Sequence, residues 1–318
     1  MTLPPPPSLP QISRRRALKA LAALGAATAL PGRPDAQTPS SPAPSTRPIP
    51  SSGEPMPLVG LGTWITFNVG NDRALREQCF AVMNAFFEGG GRMIDSSPMY
   101  GSSQEVIGAG LNRLGQLRQL FAADKVWIGS GTRGPGQIEE SRRLWQVPRF
   151  DLLQVHNLLA WQEHLPTLLA MKREGRLRYV GITTSEGRRH REFEQVMREH
   201  SLDFVQLSYN VLDREAEDRL LPLARERRMA VIVNRPFRQG QLTRALARHP
   251  LPAWAGEMGC STWAQVLLKF ILAQPAVTCA IPATSDVDHV RENLAAARGP
   301  LPDAAMRKRI VSHVEKLV

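Results

Sequence analysis

Asp95, Tyr100 and His156 are the residues of this chain whose types and setting could do chemistry together. Asp95 closes a short apolar run, Arg92-Met93-Ile94, behind the glycine turn Gly89-Gly90-Gly91. Tyr100 follows in a polar loop, and His156 closes the apolar run Leu152-Leu153-Gln154-Val155. Taken singly, the first two read as an Asx-turn and a surface phenol, and the third as a core histidine. Gathered at one end of a sheet, an acid, a phenol and an imidazole suit proton donation to a carbonyl oxygen while hydride arrives from elsewhere. The same residues are too few to hold a metal: no HxH pair or carboxylate cluster joins Asp95 and His156. No metal site is expected.

Strands must deliver these groups to a common face. Short apolar runs lie at residues 58–64, 92–94, 126–128, 152–155, 179–182, 204–207, 230–233 and 277–281, with helical periodicity between them. Examples of that periodicity are Leu75, Cys79, Val82 and Phe86, and later Trp263, Val266, Leu267 and Phe270. Eight strands, each followed by a helix, is the count of a closed (β/α)8 TIM barrel, an α/β fold in a single domain. An open doubly wound sheet is the alternative, but no GxGxxG follows the first strand. In a barrel, catalytic groups collect on the loops after the strands. Ser102 or Ser103 is placed to cap the helix that follows the Tyr100 loop. The long connection after the seventh strand, residues 236–259, is expected to overhang the site as a substrate wall. Residues 302–318 are expected to form a helix on the outside.

The 318 residues carry a formal charge of +11, and removing five basic residues and one acid from residues 1–36 leaves +7. That charge is spread over helices and no nucleic-acid motif accompanies it. Cys79, Cys260 and Cys279 do not form a disulfide or metal framework. Ser13-Arg14-Arg15-Arg16-Ala17-Leu18-Lys19 precedes an alanine-rich apolar run too short to span a membrane in the mature protein. This start resembles a twin-arginine (Tat) signal peptide over residues 1–36, which implies the Tat export machinery as a partner and a periplasmic or otherwise exported location. Residues 37–55 are Pro/Ser-rich and are expected to be a disordered linker, with the barrel over 56–318.

Several blocks carry a more specific resemblance. Gly60-Leu61-Gly62-Thr63-Trp64, Asp95 to Gly108, Asp151 to Asn157, Gly175 to Ile182, Gln206-Leu207-Ser208-Tyr209-Asn210, and Ile281-Pro282 through Glu292-Asn293 occur in the order found in the aldo-keto reductases. The resemblance implies a (β/α)8 barrel that binds NADP(H), with NAD(H) also open, and reduces small-molecule aldehydes, ketones or quinones. Tyr100 would be the general acid, His156 the group that orients the carbonyl, and Asp95 part of the charge network behind them. Thr184 and Gln206 would contact the nicotinamide carboxamide, Arg235 would stack on the nicotinamide, and Thr284 and Asn293 would hold the adenosine phosphate end.

Two departures from the family pattern stand out. The family lysine belongs at the end of the third strand. Placing that strand at residues 126–128 puts Gly131 at the lysine position and Lys125 at the strand's start, about 20 Å from its other end at ~3.3 Å per residue. In that register the lysine is missing and the reductase is impaired or retuned. The alternative is a non-catalytic nicotinamide-nucleotide-binding or regulatory protein on the same barrel. Ala283 and His289 also replace the basic pair that often grips a 2′-phosphate.

Overall fold

The computed structural model describes residues 45–318, so the expected export signal and the first part of the expected linker lie outside the described residues. Eight parallel strands follow one another around a single sheet: β3 (Leu61–Gly62), β4 (Met93–Asp95), β5 (Phe121–Val126), β6 (Leu152–Val155), β7 (Tyr179–Thr183), β8 (Phe204–Ser208), β9 (Ala230–Asn234) and β10 (Val277–Ala280). The first and last strands meet. Val59 bridges Ala280 and Gly62 bridges Ala283, both in parallel, and Ala280 N–H donates to Leu58 O at 2.9 Å while Gly60 N–H donates to Ala280 O at 2.8 Å. The sheet is thus closed as the sequence led us to expect. Gly62 is required at this seam, because a Cβ there would lie 2.6 Å from Ile281 O.

Strand alternation sorts the side chains into two layers. Met93, Phe121, Ala123, Leu152, Tyr179, Phe204, Ala230, Ile232 and Cys279 fill the barrel interior. Their neighbours Ile94, Ala122, Leu153, Val180, Val205 and Val231 point outward into the larger core shared with the helices. Phe121 stacks on Tyr179 at 5.8 Å between ring centroids, and Tyr179 meets Phe204 edge-on at 5.4 Å. This aromatic layer fills part of the barrel interior.

A hairpin outside the barrel count changes the expected domain boundary. β1 (Thr46–Pro48) pairs antiparallel with β2 (Pro55–Pro57), and the fully buried Ile49 and Met56 join the interior cluster. Glu54, at its turn, binds Arg92 and Arg178. Residues 45–55 are therefore an ordered plug and not the expected disordered linker. Two three-residue strands rich in proline carry too little periodicity to reveal pairing.

Most strand positions agree with the sequence reading to within a residue or two. The third barrel strand does not: it runs Phe121–Val126, and Trp127 and Ile128 lie beyond it. The helix Ala304–Val314 lies in the expected C-terminal stretch and buries Ile310 and Val314. Among the described residues the three cysteines are free and buried, and no helix is long and apolar enough to cross a membrane.

Candidate active site

A cavity of about 960 Å³ opens at the C-terminal ends of the strands. Asp95, Tyr100, His156, Trp64 and Met99 line one end of it. Thr183, Ser185, Gln206, Asn234, Thr284, His289 and Asn293 line it as well. The connection after β9 supplies Phe237, Gln239 and Thr243, so this segment does wall the cavity as expected. That connection is not plain loop, for it contains a helix at Gln241–Leu246 and a 3-10 turn at Ala253–Met258.

Asp95 is the hub of the inner end. It is the last residue of β4, points inward and is 1% exposed. One carboxylate oxygen accepts from Gln206 Nε2 at 2.9 Å and more distantly from Gln154 Nε2 at 3.3 Å. The other accepts from Lys125 Nζ at 2.5 Å. Lys125 Nζ also donates to Ser96 O at 2.8 Å and stands 5.1 Å from the centroid of the Tyr100 ring.

This arrangement corrects the expectation that the lysine is missing. β5 starts five residues before the expected strand, and Lys125 pairs with Gln154 near its C-terminal end, not at its start. Phe121, Ala123 and Lys125 share the inward face by the period of two, which carries the ammonium to the site. Gly131 lies in a turn elsewhere: its N–H donates to Glu163 Oε2 at 2.6 Å, and a Cβ there would meet that same oxygen at 2.4 Å. The misreading has a physical source. Asp124 and Lys125 interrupt the apolar run, so the uncharged Val126-Trp127-Ile128 looks like the better strand.

The electrostatics follow from burial and this one cation. Burial opposes the charge of Lys125, yet the Asp95 carboxylate, foremost among its neighbours, holds the ammonium above its ordinary value. Burial pushes the Tyr100 phenol up while Lys125 pulls it down, and the balance leaves a neutral O–H at neutral pH. His156 is pushed down to about 2, first by burial and then by the charge of Lys125, so its imidazole is neutral. Its ring meets Tyr100 edge-on at 5.7 Å, and its Nδ1 lies 2.8 Å from Ser97 Oγ.

The remaining sequence-derived positions divide. Thr284 and Asn293 line the cavity, and the side-chain amide of Asn293 has no hydrogen bond to any described residue. Gln206 reaches the cavity, although its amide N–H is given to Asp95. Arg235 lines the cavity with φ +51°, and its guanidinium pairs in-plane with Glu186 Oε1 at 2.8 Å. Thr184 departs from expectation: its hydroxyl donates to Arg188 O at 2.5 Å, and Thr183 and Ser185 on either side are the residues that line the cavity. The inward parity of β7 runs Tyr179, Gly181, Thr183, which turns Thr184 outward. Ser102 precedes the helix Ser103–Leu114, but its hydroxyl accepts from Gly70 N–H and caps nothing.

Sequence reasoning missed Lys125, Gln154 and Ser97. Gln154 carried a signal, since it lies two residues after the inward-facing Leu152 on β6 and so shares its face.

Comparison with known proteins decides the family. Residues 58–315 match the model of the Aldo/keto reductase family. The chain belongs to that family. It is 27% identical to the Escherichia coli methylglyoxal reductase YeaE over 79% of this chain and 89% of that protein. An uncharacterized oxidoreductase of Schizosaccharomyces pombe is 31% identical over 76% of this chain and 79% of its own length. Among solved structures, a Klebsiella pneumoniae aldo/keto reductase in complex with NADP and acetate superposes with a TM-score of 0.68 at 25% identity, covering 83% of this chain and 92% of that one.

Proposed function

We propose that the protein is an NAD(P)H-dependent reductase of small carbonyl compounds, with reactive dicarbonyls such as methylglyoxal among its substrates. The observation that carries this reading is the buried Lys125 ammonium, held by Asp95 beside the face of Tyr100 at the inner end of the cavity. Kinship supports it: relatives include the Escherichia coli methylglyoxal reductase and an NADH-specific methylglyoxal reductase 26% identical over 77% of this chain. When bound, the reduced nicotinamide supplies the hydride. The cavity of about 960 Å³ offers room for such a dinucleotide, and the unspent amide of Asn293 with the hydroxyl of Thr284 offers polar partners in its lining.

In this reading the carbonyl oxygen lies between Tyr100 and His156. Tyr100 gives its proton to that oxygen as negative charge develops on it. Lys125 stabilises the phenolate left behind, and Asp95 fixes the ammonium while Gln206 and Gln154 fix Asp95. His156, neutral, orients the carbonyl and adds no charge of its own. NADP(H) is the expected cofactor and NAD(H) fits as well, because Ala283 and His289 offer little fixed positive charge to a 2′-phosphate.

Lys125 beside Tyr100 supports the reductase over the non-catalytic alternative. A single-turnover experiment tests the choice: protein in excess over NADPH is mixed with methylglyoxal and the nicotinamide absorbance followed, with Tyr100→Phe as control. Oxidation that needs Tyr100 is expected. Bound NADPH that stays reduced, or oxidation that Tyr100→Phe leaves unchanged, would overturn the reading. Residues 1–36 are proposed to direct Tat export, on the strength of the Arg14-Arg15 motif. Replacing both arginines by lysine should leave the protein in the cytoplasmic fraction, and continued export would refute that role.

A further inference from the structure

The neutral imidazole of His156 has two tautomers, and only one can donate to a carbonyl oxygen in the cavity. Its Nδ1 faces Ser97 Oγ at 2.8 Å, while Nε2 has no hydrogen bond to any described residue and the ring lines the cavity. The tautomer is therefore set by which way the Ser97–His156 hydrogen bond runs.

Ser97 answers that question by its surroundings. It is fully buried, so its hydroxyl proton cannot go to solvent. Among the described residues its Oγ has two neighbours, the Met99 N–H at 3.2 Å and His156 Nδ1. The Met99 N–H is a donor and takes one lone pair of the oxygen. The only acceptor left for the Ser97 proton is Nδ1, which must then carry a lone pair and no hydrogen. We propose that Ser97 is a positioning residue that holds His156 in the tautomer with its proton on Nε2, so that the imidazole donates to the substrate oxygen alongside Tyr100. The opposite tautomer would aim a lone pair at that oxygen and repel it, and would strand the Ser97 proton.

The same residue shapes the turn that carries Tyr100. Ser97 O accepts from Tyr100 N–H at 2.9 Å, and Ser97 Oγ accepts from Met99 N–H, closing the 3-10 turn Pro98–Tyr100. One serine thus couples the proton donor's loop to the orientation of the imidazole. This inference rests on the reductase reading for its consequence, but the tautomer itself can be read without turnover.

Long-range nitrogen–proton NMR on full-length protein labelled with 15N-histidine, with His156 assigned by a His156→Gln spectrum, tests it. Wild type should show Nε2 protonated and Nδ1 unprotonated. Ser97→Ala should introduce the Nδ1–H form, and Ser97→Thr, which keeps the hydroxyl, should restore the wild-type signature. With methylglyoxal, Ser97→Ala should lower kcat about tenfold while leaving NADPH affinity unchanged. A proton on Nδ1 in the wild type, or a folded Ser97→Ala protein with an unchanged tautomer, would overturn the proposal. Should Ser97→Ala fail to fold, the wild-type and Ser97→Thr spectra still decide. Failure of the reductase reading is told apart, because it is seen with Tyr100→Phe and leaves these spectra as they are.

Discussion

Replacing Lys125 by methionine removes the one ammonium at the inner end of the cavity while keeping most of the side-chain volume. Two effects follow from the geometry. Asp95, 1% exposed, would keep its bonds from Gln154 and Gln206 but lose its cation. Breaking a buried ion pair from one side costs about 3–5 kcal/mol of stability. In the reaction, the ammonium stands 5.1 Å from the Tyr100 ring centroid. At an effective dielectric of about 20, a unit charge at that distance stabilises a developing phenolate by ~3 kcal/mol. Losing it should slow proton donation about a hundredfold. The assay is kcat for methylglyoxal with saturating NADPH, beside a denaturant melt and an NADPH titration. Turnover should fall by two orders of magnitude, the melt should shift to lower denaturant, and NADPH affinity should stay near wild type. A folded Lys125→Met protein with turnover within about threefold of wild type would refute the coupling of Lys125 to Tyr100. Gly131→Lys offers the converse check and should gain nothing, because its side chain would collide with Glu163.

Other consequences are equally concrete. His156, held down to about 2, should contribute no inflection to the kcat profile between pH 5 and 8, and an NMR titration of its ring should be flat there. Because its folded value lies below its unfolded one, its contribution to stability is complete above about pH 6.5 and is lost as the pH falls from there toward 2. Asp124 has the opposite sense: burial raises its carboxyl to about 7 despite the Lys125 and Gln104 contacts, so its contribution is full below about pH 4 and declines as the pH rises to 7. Asp124→Asn should flatten the fall in melting temperature over that window, and an unchanged slope would refute the assignment. Gly108 packs where a Cβ would fall 1.9 Å from Leu144 O, so Gly108→Ala should force apart the helices Ser103–Leu114 and Gly134–Trp145. A loss of about 1–3 kcal/mol in a urea melt is expected, and a neutral result would mean the two helices can separate freely.

The sequence alone carried the barrel and much of the site. Apolar runs separated by helical periodicity give β/α alternation, because a strand buried on both faces excludes charge along most of its length. Asp95 and His156 were legible for the same reason: each is a polar residue placed at the end of such a run. Local pattern could not reveal what depends on register. Whether Lys125 opens a strand or nearly ends one turns on which neighbours it pairs with, and Gln154 on β6 supplies that answer. Thr184, just past the end of β7, misses the cavity lining by a single residue, because successive extended residues face opposite ways. The plug of residues 45–55 was hidden because its partners Arg92, Arg178 and Tyr179 lie far along the chain. The chemistry of single residues and the rhythm of the elements are thus local properties, written in the order of the amino acids. Which ammonium stands beside which phenol, and which way a buried hydroxyl gives its proton, depend on non-local pairing and on burial, and only the closed barrel decides them.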